Sequence, residues 1–387
     1  MIAVSAPPST GHPALNAAGR LLQSAANAGW CGPDPYDALW TNWPAPLVGG
    51  RLRRQAVLQL HARAPVDVRR FYRREHPRIT KALALFGSTA MHLRTQATEP
   101  RAEALAREAF DLILADRATG TPGWGYPFDV QTRWSFYAAG TPNIIVTSFA
   151  GRALARADLD LGEARYGEAA ADAALWTIES LLTGPEMYFV YHPGSGTLIH
   201  NANLLGAAFV WEALGRDPSV RDLVAAAVER SIAAQRVDGA FPYGEGAGLE
   251  FVDSFHTGFV LDALMTLADV DPAVEDAIDR GAAYYAQRFF GPDGEARLWA
   301  DQPYPEDAHS AGTGLSALTL LAERGTVDRD LVDRVCARTL SHVVRGGTTV
   351  NRRYRHHRTF VNYPRWATGH VARGLAQAGC LLAPPRD

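Results

Sequence analysis

Lysine is almost absent from this chain of 387 residues: Lys81 is the only one, and arginine supplies the other basic residues. The 38 basic and 41 acidic residues give a formal net charge of -3. A chain-wide positive surface of the kind that binds nucleic acid is therefore excluded. We attribute the preference for arginine to genomic composition, not to a function.

Cysteine and long apolar runs are also scarce. Cys31, Cys336 and Cys380 lie far apart with no CxxC pair, which excludes a disulfide framework and a thiolate zinc site. No window approaches roughly 18 consecutive apolar residues, so no membrane span is predicted. The first residues, MIAVSAPPSTGHP, lack a basic stretch followed by a long apolar one, so no signal peptide is expected. These absences predict a cytoplasmic globular protein.

Two kinds of helix alternate along the chain. Amphipathic segments, in which apolar residues recur at helical spacing, are predicted near 100–117, 163–182, 218–236, 272–289 and 329–344. Segments that are apolar nearly all round begin near His76, Asn143, His200, His256, His309 and Arg365. These starts are 53–67 residues apart. A sixth amphipathic helix is expected within the N-terminal 70 residues, at 51–63.

Six buried helices surrounded by six amphipathic ones form the pattern of an all-α (α/α)6 toroid. A single helical hairpin cannot bury its apolar face, so neighbouring hairpins must stack until the ring closes. An open α-solenoid that serves as a binding scaffold is the alternative, but a repeat number of six favours closure. We expect residues 71–387 to form the barrel and residues 1–70 to form a helical extension that packs on it.

The loops that lead into the buried helices are long and rich in aromatic residues, whereas the loops at the opposite face are short. Because of chain direction within the repeat, all the long loops must share one face of the ring. An aromatic cavity with interspersed polar groups is typical of a ligand site, although any one ring could instead wedge its loop against a helix end. The aromatic candidates for substrate binding are Trp124, Tyr126, Tyr243, Tyr304 and Trp366.

Polar side chains concentrate in the same loops. Helix N-termini carry partial positive charge, so six of them converging on one mouth favour an anionic ligand. Arg133 and Arg365 could bind a carboxylate through two hydrogen bonds each. Any single Asp here could instead be a helix cap, and any single His a structural hydrogen-bonding residue. The polar candidates for substrate binding are Asp129, Arg133, Asn201, Asn203, Asp307, His309 and Arg365.

A three-histidine metal site is the other arrangement to consider, since His200, His256 and His309 occupy one position of the repeat. Neighbouring helices are about 8–10 Å apart, which is wide for shared ligation. We therefore expect no metal and no other cofactor. The Arg-rich stretch RRYRHHR at 352–358 is the strongest local cluster of positive charge, and it could attract an anion electrostatically.

Several strings resemble a bacterial and archaeal family of toroids that often occur in polysaccharide-biosynthesis loci. They are PYDAL (35–39), KALAL (81–85), GWGYPFD (123–129), HNANLLGAA (200–208), DGAFPYGEG (238–246), DSFHTGFVLDAL (253–264) and DAHSAG (307–312). Members tend to carry prenyltransferase- or squalene-oxidase-like labels, and the fold is similar to the barrel of glucuronyl C5-epimerases. The resemblance implies an (α/α)6 toroid connected with carbohydrate. The DxDD and DDxxD motifs of terpene chemistry are absent, so the prenyl label describes fold only.

The favoured hypothesis is a carbohydrate-active epimerase or lyase that removes a proton next to the carboxylate of a uronic-acid-like or other anionic substrate. That reaction needs a base and a group that stabilises the developing enolate. Three alternatives stay open: a glycoside hydrolase with paired carboxylates, a cyclase or isomerase of a secondary metabolite, and a non-catalytic glycan-binding protein. The catalytic candidates are His256, Tyr243, Glu245, His200 and Asp253.

Overall fold

The computed structural model describes residues 11–39, 49–64, 66–71, 75–96, 98–118 and 120–384. Six helices of this part form an inner ring, each packed against the next, and the last packs against the first. The prediction of a closed (α/α)6 toroid is therefore confirmed. The inner helices are α3 (Thr80–Thr95), α5 (Ile144–Leu161), α7 (His200–Ala213), α9 (Ser254–Thr266), α11 (Ala308–Glu323) and α13 (Gly369–Leu382).

Outer helices cover this ring. Five of them follow the inner helices in sequence: α4 (Ala102–Ala115), α6 (Ala164–Leu181), α8 (Arg221–Ile232), α10 (Ala273–Phe289) and α12 (Arg329–His342). The sixth position is occupied by α1 (Pro13–Asn27), which packs against α13 and α3. Part of the N-terminal segment thus completes the outer layer, while the division of the chain at residue 70 stays a prediction.

The expectation that residues 51–63 supply the sixth outer helix was wrong. Arg51–Arg63 is a helix, α2, but it packs on the 3-10 turn Asp37–Leu39 and on the loop strand β1 (Val130–Gln131). Its leucines Leu52 and Leu60 are 80% and 70% exposed. Helix α1, in contrast, buries a continuous face of alanine and leucine, so it gains far more from packing on the ring.

Three inner helices begin at a capping side chain. Asn143, Asp253 and Asp307 each accept a hydrogen bond from the backbone N–H three residues later, at 3.1, 2.9 and 2.9 Å. Such caps satisfy N–H groups that the helix leaves unpaired. They fix where α5, α9 and α11 start, and therefore where the first-turn side chains of these helices lie at the mouth of the ring.

Glycine lets two inner helices approach backbone to backbone. A Cβ placed on Gly312 would lie 2.3 Å from the carbonyl carbon of His370, and one on Gly374 would lie 2.4 Å from the oxygen of Gly312. Helices α11 and α13, which are neighbours in the inner ring, consequently pack closely. The sixth inner helix begins with a π-helical turn, Pro364–Thr368, immediately before α13.

Short strands occur only in the loops, as far as the described residues show. Besides β1 they are β2 (Phe136–Tyr137), β3 (Glu306–Asp307), β4 (Val344–Arg345), β5 (Thr348–Thr349), β6 (Arg352–Arg353) and β7 (Arg358–Thr359). Strands β3, β6 and β7 form one antiparallel sheet. This sheet joins the loop before α11 to the loop before α13, so neighbouring mouth loops are tied together.

A buried charged network closes the far end of the ring interior. Arg152 of α5 donates to Asp262 of α9 at 2.8 Å and to Glu212 of α7 at 2.7 Å. Arg373 of α13 donates to the other oxygen of Asp262 at 3.1 Å. Desolvation acts to raise the pKa of Asp262, but the two guanidinium groups outweigh it and lower that pKa.

No helix among the described residues combines the length and the apolar character needed to cross a membrane.

Candidate functional site

The loops before the inner helices surround a cavity of about 1150 Å³ at one face of the ring. Isolated bridges join consecutive loops: Ile199 pairs with Gly244, and Asp253 pairs with Trp299. The N-terminal segment adds a further wall, with Tyr36 after α1 and Leu58 of α2 at the cavity surface. The mouth predicted from loop asymmetry is thus a concave cavity rather than a flat face.

Aromatic side chains make up much of the cavity surface. Phe251 stacks on Tyr243 with ring centroids 4.8 Å apart and on Trp134 at 6.1 Å. Flat faces of this kind suit the C–H faces of sugar rings. The aromatic residues that line the cavity are Tyr36, Tyr126, Phe128, Trp134, Tyr137, Tyr191, Tyr243, Phe251, Phe255, Trp299, Tyr354, Tyr363 and Trp366.

His256 and Asp253 form a fixed pair at the cavity wall. Asp253 uses one carboxylate oxygen to cap α9 and the other to accept a hydrogen bond from His256 Nδ1 at 2.8 Å. This contact fixes the imidazole orientation and leaves Nε2 with no hydrogen-bond partner among the described residues. Tyr243 lies against the ring at 4.5 Å, and burial raises the pKa of its hydroxyl.

Arg365 is a buried cation at the cavity wall, and its main partner is Asp34. The Arg365 Nε and Nη2 atoms donate to the two Asp34 carboxylate oxygens at 2.5 and 2.8 Å. Its Nη1 donates to the Tyr126 hydroxyl oxygen at 3.3 Å. Arg365 therefore does not offer two free donors to a substrate carboxylate. Asp34 was not among the site residues predicted from the sequence. The one feature of the sequence that could have indicated it is its position directly before the string PYDAL.

The other cavity arginines differ in their partners. Arg352 donates to Asp307 at 2.7 Å, and Asp307 also caps α11, so this carboxylate is used within the protein. Arg133 is exposed at the rim, over the ring of Trp134, and no described carboxylate pairs with it. Since Arg352 and Arg365 are both neutralised by buried aspartates, Arg133 provides the excess positive charge of the mouth.

Several predicted site residues are buried away from the cavity. The indole Nε1–H of Trp124 donates to the Ile113 carbonyl at 2.8 Å. His200 shares a hydrogen bond with Ser231 of α8 at 3.2 Å, and Asn203 donates to the same hydroxyl at 2.9 Å. These three side chains join an inner helix or its loop to the outer layer.

The remaining predicted residues also lie outside the cavity surface. The half-exposed Glu245 faces Arg230, with 3.3 Å between their charged atoms, and Asp129 accepts a hydrogen bond from the Ala139 N–H. Asn201 and His309 are buried, and Tyr304 is half-buried beside the cavity-lining Pro305. Of the predicted set, the cavity brings together Tyr126, Arg133, Tyr243, Asp253, His256, Arg365 and Trp366.

The cavity offers few acidic groups and no set of metal ligands among the described residues. Within the described ranges, Asp253 is the only carboxylate at its surface, and no group of three or more His, Cys, Asp or Glu side chains is placed to hold a metal ion. The histidines His200, His256 and His309 do not converge, because His200 faces Ser231 and His309 packs between Phe255 and His370.

No protein-family model matches the chain, and no curated protein matches its sequence. Solved structures are similar to it in architecture. The Lin0763 protein from Listeria innocua is 13% identical with a TM-score of 0.61, covering 94% of this chain and 96% of that one. Cellobiose 2-epimerase from Bacillus thermoamylovorans B4167 is 10% identical with a TM-score of 0.60, covering 78% and 87%. An unsaturated glucuronyl hydrolase specific for heparin is 10% identical with a TM-score of 0.57, covering 77% and 85%. At these identities the likeness shows the fold alone.

Proposed function

We propose that this chain is a carbohydrate-active enzyme, an epimerase or lyase that removes a proton from the carbon next to the carboxylate of a uronic-acid-like or other anionic saccharide. The observation that carries this proposal is the His256–Asp253 pair, held at 2.8 Å at the wall of a large aromatic cavity. Epimerisation and elimination both begin with this proton transfer.

His256 is the proposed base. With Nδ1–H donating to Asp253, the lone pair of the neutral ring lies on Nε2, the atom left without a partner. A side chain that is positioned in this way by a second group has the arrangement that general base catalysis requires. The His256 side chain is 22% exposed, so it is accessible from the cavity while its orientation is fixed by packing.

Tyr126 is the proposed donor to the developing enolate. Burial raises the pKa of its hydroxyl, although the charge of Arg365 acts in the opposite direction, so the group remains protonated near neutral pH. Because the Tyr126 oxygen accepts from Arg365 Nη1, its own O–H is available for a substrate oxygen and is polarised by the guanidinium. A preorganised donor of this kind stabilises negative charge that appears only in the transition state.

The cavity surroundings favour an anionic saccharide. Arg133 at the rim supplies uncompensated positive charge, which attracts anions, and stacked aromatic rings supply flat apolar surface. The similar folds include two sugar epimerases, a polysaccharide lyase and an unsaturated glucuronyl hydrolase, which supports carbohydrate chemistry by analogy of fold. A hydrolase with paired carboxylates is disfavoured, since Asp129, Glu245 and Asp307 are all outside the cavity surface.

Hydrogen exchange provides the direct test. The purified protein would be incubated in deuterated water with a panel of free and oligomeric uronates, and deuterium incorporation would be followed by proton NMR and mass spectrometry. An epimerase should incorporate deuterium at the carbon next to the carboxylate of a responsive uronate, whereas a lyase should cleave the glycosidic bond and leave an unsaturated uronate at that carbon. Hydrolytic cleavage that gives neither deuterium incorporation nor an unsaturated product, or no change in any uronate, would contradict the proposal.

Matched variants connect the exchange to the site. His256→Gln should abolish the exchange while the circular dichroism spectrum stays that of the wild type. Glu245→Gln changes a half-exposed carboxylate in the loop before α9 that does not line the cavity. This variant should catalyse the exchange at the wild-type rate. If both variants were equally active, His256 would not be the base.

A further inference from the structure

Three buried ionisable side chains meet in the ring interior behind the cavity wall. Lys81 of α3, His309 of α11 and His370 of α13 are each only 2% exposed. They come from three different inner helices, and Lys81 is the only lysine of the chain. None of them belongs to the cavity surface itself.

Ring contacts hold these three groups together. Lys81 Nζ lies 4.2 Å from the ring centre of Phe149 and 4.8 Å from that of Phe259. His370 contacts the same two rings, with centroids 5.7 and 5.4 Å apart. His309 stacks on His370 at 4.4 Å. The amine and the two imidazoles therefore share one compartment on the ring axis.

These groups lack polar partners. Both ring nitrogens of His309 and Nε2 of His370 are buried without a hydrogen bond, and in the described part of the chain no carboxylate forms an ion pair with Lys81. A buried polar atom left unpaired costs about 1–3 kcal/mol. Three unpaired nitrogen atoms on the two histidines, beside an amine with no carboxylate partner, indicate that a group outside the chain supplies their partners.

The surrounding charges do not supply a counter-ion. Toward the mouth, Arg365 is paired with Asp34, and His256 is paired with Asp253. At the opposite end, Asp262 is already shared between two arginines. Burial, together with the nearby positive charges, lowers the pKa of all three groups, and a bound anion would act in the opposite direction.

Two aromatic rings that contact each other, with centroids 5.6 Å apart, lie between His309 and the cavity. His309 lies 4.2 Å from Phe255 and 4.9 Å from Trp366, and both of these rings line the cavity. Trp366 belongs to the π-helical turn Pro364–Thr368, a conformation that is often found at functional sites. His256 also contacts Phe255, with ring centroids 4.2 Å apart.

We propose that Lys81, His309 and His370 form a binding site for an oxyanion, a carboxylate or phosphate group, behind the part of the cavity wall that Phe255 and Trp366 form. The anion supplies the missing hydrogen-bond acceptor, and the site takes up protons from solvent as it binds, so that the negative charge is neutralised in the interior. This inference rests on the proposed function and extends it to the substrate carboxylate. A saccharide whose carboxylate occupied this site would have the carbon next to that carboxylate close to His256.

Calorimetry of the full chain tests the site. Inorganic phosphate and glucuronate would each be titrated in two buffers of different ionisation enthalpy, with glucose as the neutral control. We expect at least one of the two anions to bind with net proton uptake, and glucose to show none. Uptake with glucuronate identifies a saccharide carboxylate as the occupant, and uptake with phosphate alone identifies a free oxyanion. No binding, or binding without proton uptake, overturns the proposal.

Variants separate this site from the catalytic proposal. Lys81→Met keeps the side-chain length and removes the amine, so it should weaken anion binding by about tenfold to hundredfold without lowering the melting temperature. His370→Phe should weaken it as well, whereas Glu245→Gln should not. Unchanged anion affinity in Lys81→Met would overturn the site. His256→Gln should keep the proton uptake even if it loses the exchange, so a failure of the anion site can be distinguished from a failure of the proposed function.

Discussion

Asp34 and Arg365 are 331 residues apart in sequence, and their side chains form a buried ion pair with two hydrogen bonds. The pair attaches the segment after α1 to the π-helical turn that begins the last inner helix. It holds Tyr36 at the cavity surface and leaves Arg365 Nη1 directed at Tyr126. The role of Arg365 therefore changes from a carboxylate clamp to a group that polarises a neighbouring hydroxyl.

The first prediction concerns this pair. Asp34→Asn leaves an uncompensated buried guanidinium, so we expect the free energy of unfolding to fall by about 3–5 kcal/mol. Chemical denaturation followed by circular dichroism measures the change. The matched control is Asp160→Asn, which breaks the exposed pair of Arg156 and Asp160 on α5 and should cost at most about 0.5 kcal/mol. Equal effects would mean that burial of the Asp34 pair contributes nothing.

Much of the fold could be predicted from periodicity alone. The inner starts expected near His200, His256 and His309 lie within two residues of the observed helix starts, and 272–289 and 329–344 nearly coincide with α10 and α12. A helix buried on one face has apolar residues at helical spacing, and a helix buried on both faces is apolar nearly all round, so both kinds can be recognised in the sequence. Helix α1 was missed because the sixth outer helix was expected at 51–63, which also forms a helix.

The site was harder to predict because its contacts are non-local. Sequence could place His256 three residues after Asp253, which is local helix geometry, but it could not bring Asp34 to Arg365 across the ring. It also could not distinguish His256, which reaches the cavity, from His200, which faces the outer layer. His200 is the first residue of its helix and His256 is the third of its own, and successive residues of an α-helix point about 100° apart.

The second prediction tests the close packing of α11 on α13. Gly312→Ala would put a methyl group 2.3 Å from the His370 backbone, and two helix backbones cannot move apart without disturbing the ring. We expect a loss of about 1–3 kcal/mol in the free energy of unfolding. Gly184→Ala, where no atom lies within 4 Å, is the control and should be close to neutral. The proposed packing would be incorrect if both variants melted at the same temperature.

The third prediction is a dependence of stability on pH. Burial, and to a lesser degree the charge of Arg230, lowers the pKa of His200 to about 4. Below its ordinary pKa the unfolded chain binds a proton that the folded chain does not, so stability falls as the pH decreases from about 6.5 to 4. At pH 5 this difference in proton binding by His200 lowers the free energy of unfolding by about 2 kcal/mol. His200→Gln should therefore lose less stability between pH 7 and pH 5 than the wild type, and identical losses would contradict this assignment.

The fourth prediction separates catalysis from folding at His256. In His256→Gln, kcat for the responsive uronate should fall by about 10²–10⁴, the usual contribution of a general base. The free energy of unfolding should change by only about 1 kcal/mol, because the cap that Asp253 provides to α9 uses the backbone N–H of residue 256. A variant that unfolds would assign His256 a structural role, and a fully active one would remove it from the mechanism.

The fifth prediction concerns Tyr126 as the donor to the enolate. Tyr126→Phe keeps the stacking on Phe128, whose ring centre is 5.7 Å away, and keeps the pairing of Arg365 with Asp34. We expect kcat to fall by about 10²–10³, as for the loss of one donor to a developing oxyanion, with little change in KM because the interaction forms mainly in the transition state.

The control for Tyr126→Phe is Tyr285→Phe, which removes the hydroxyl of another buried tyrosine, on α10 and outside the cavity. Its steady-state parameters should stay at wild-type values. A rise in KM at constant kcat in Tyr126→Phe would show that the hydroxyl binds the ground state only. In that case the enolate would require a different donor, and the polarising role of Arg365 would lose its support. A matched fall in kcat and in kcat/KM is the pattern that a transition-state donor at Tyr126 requires.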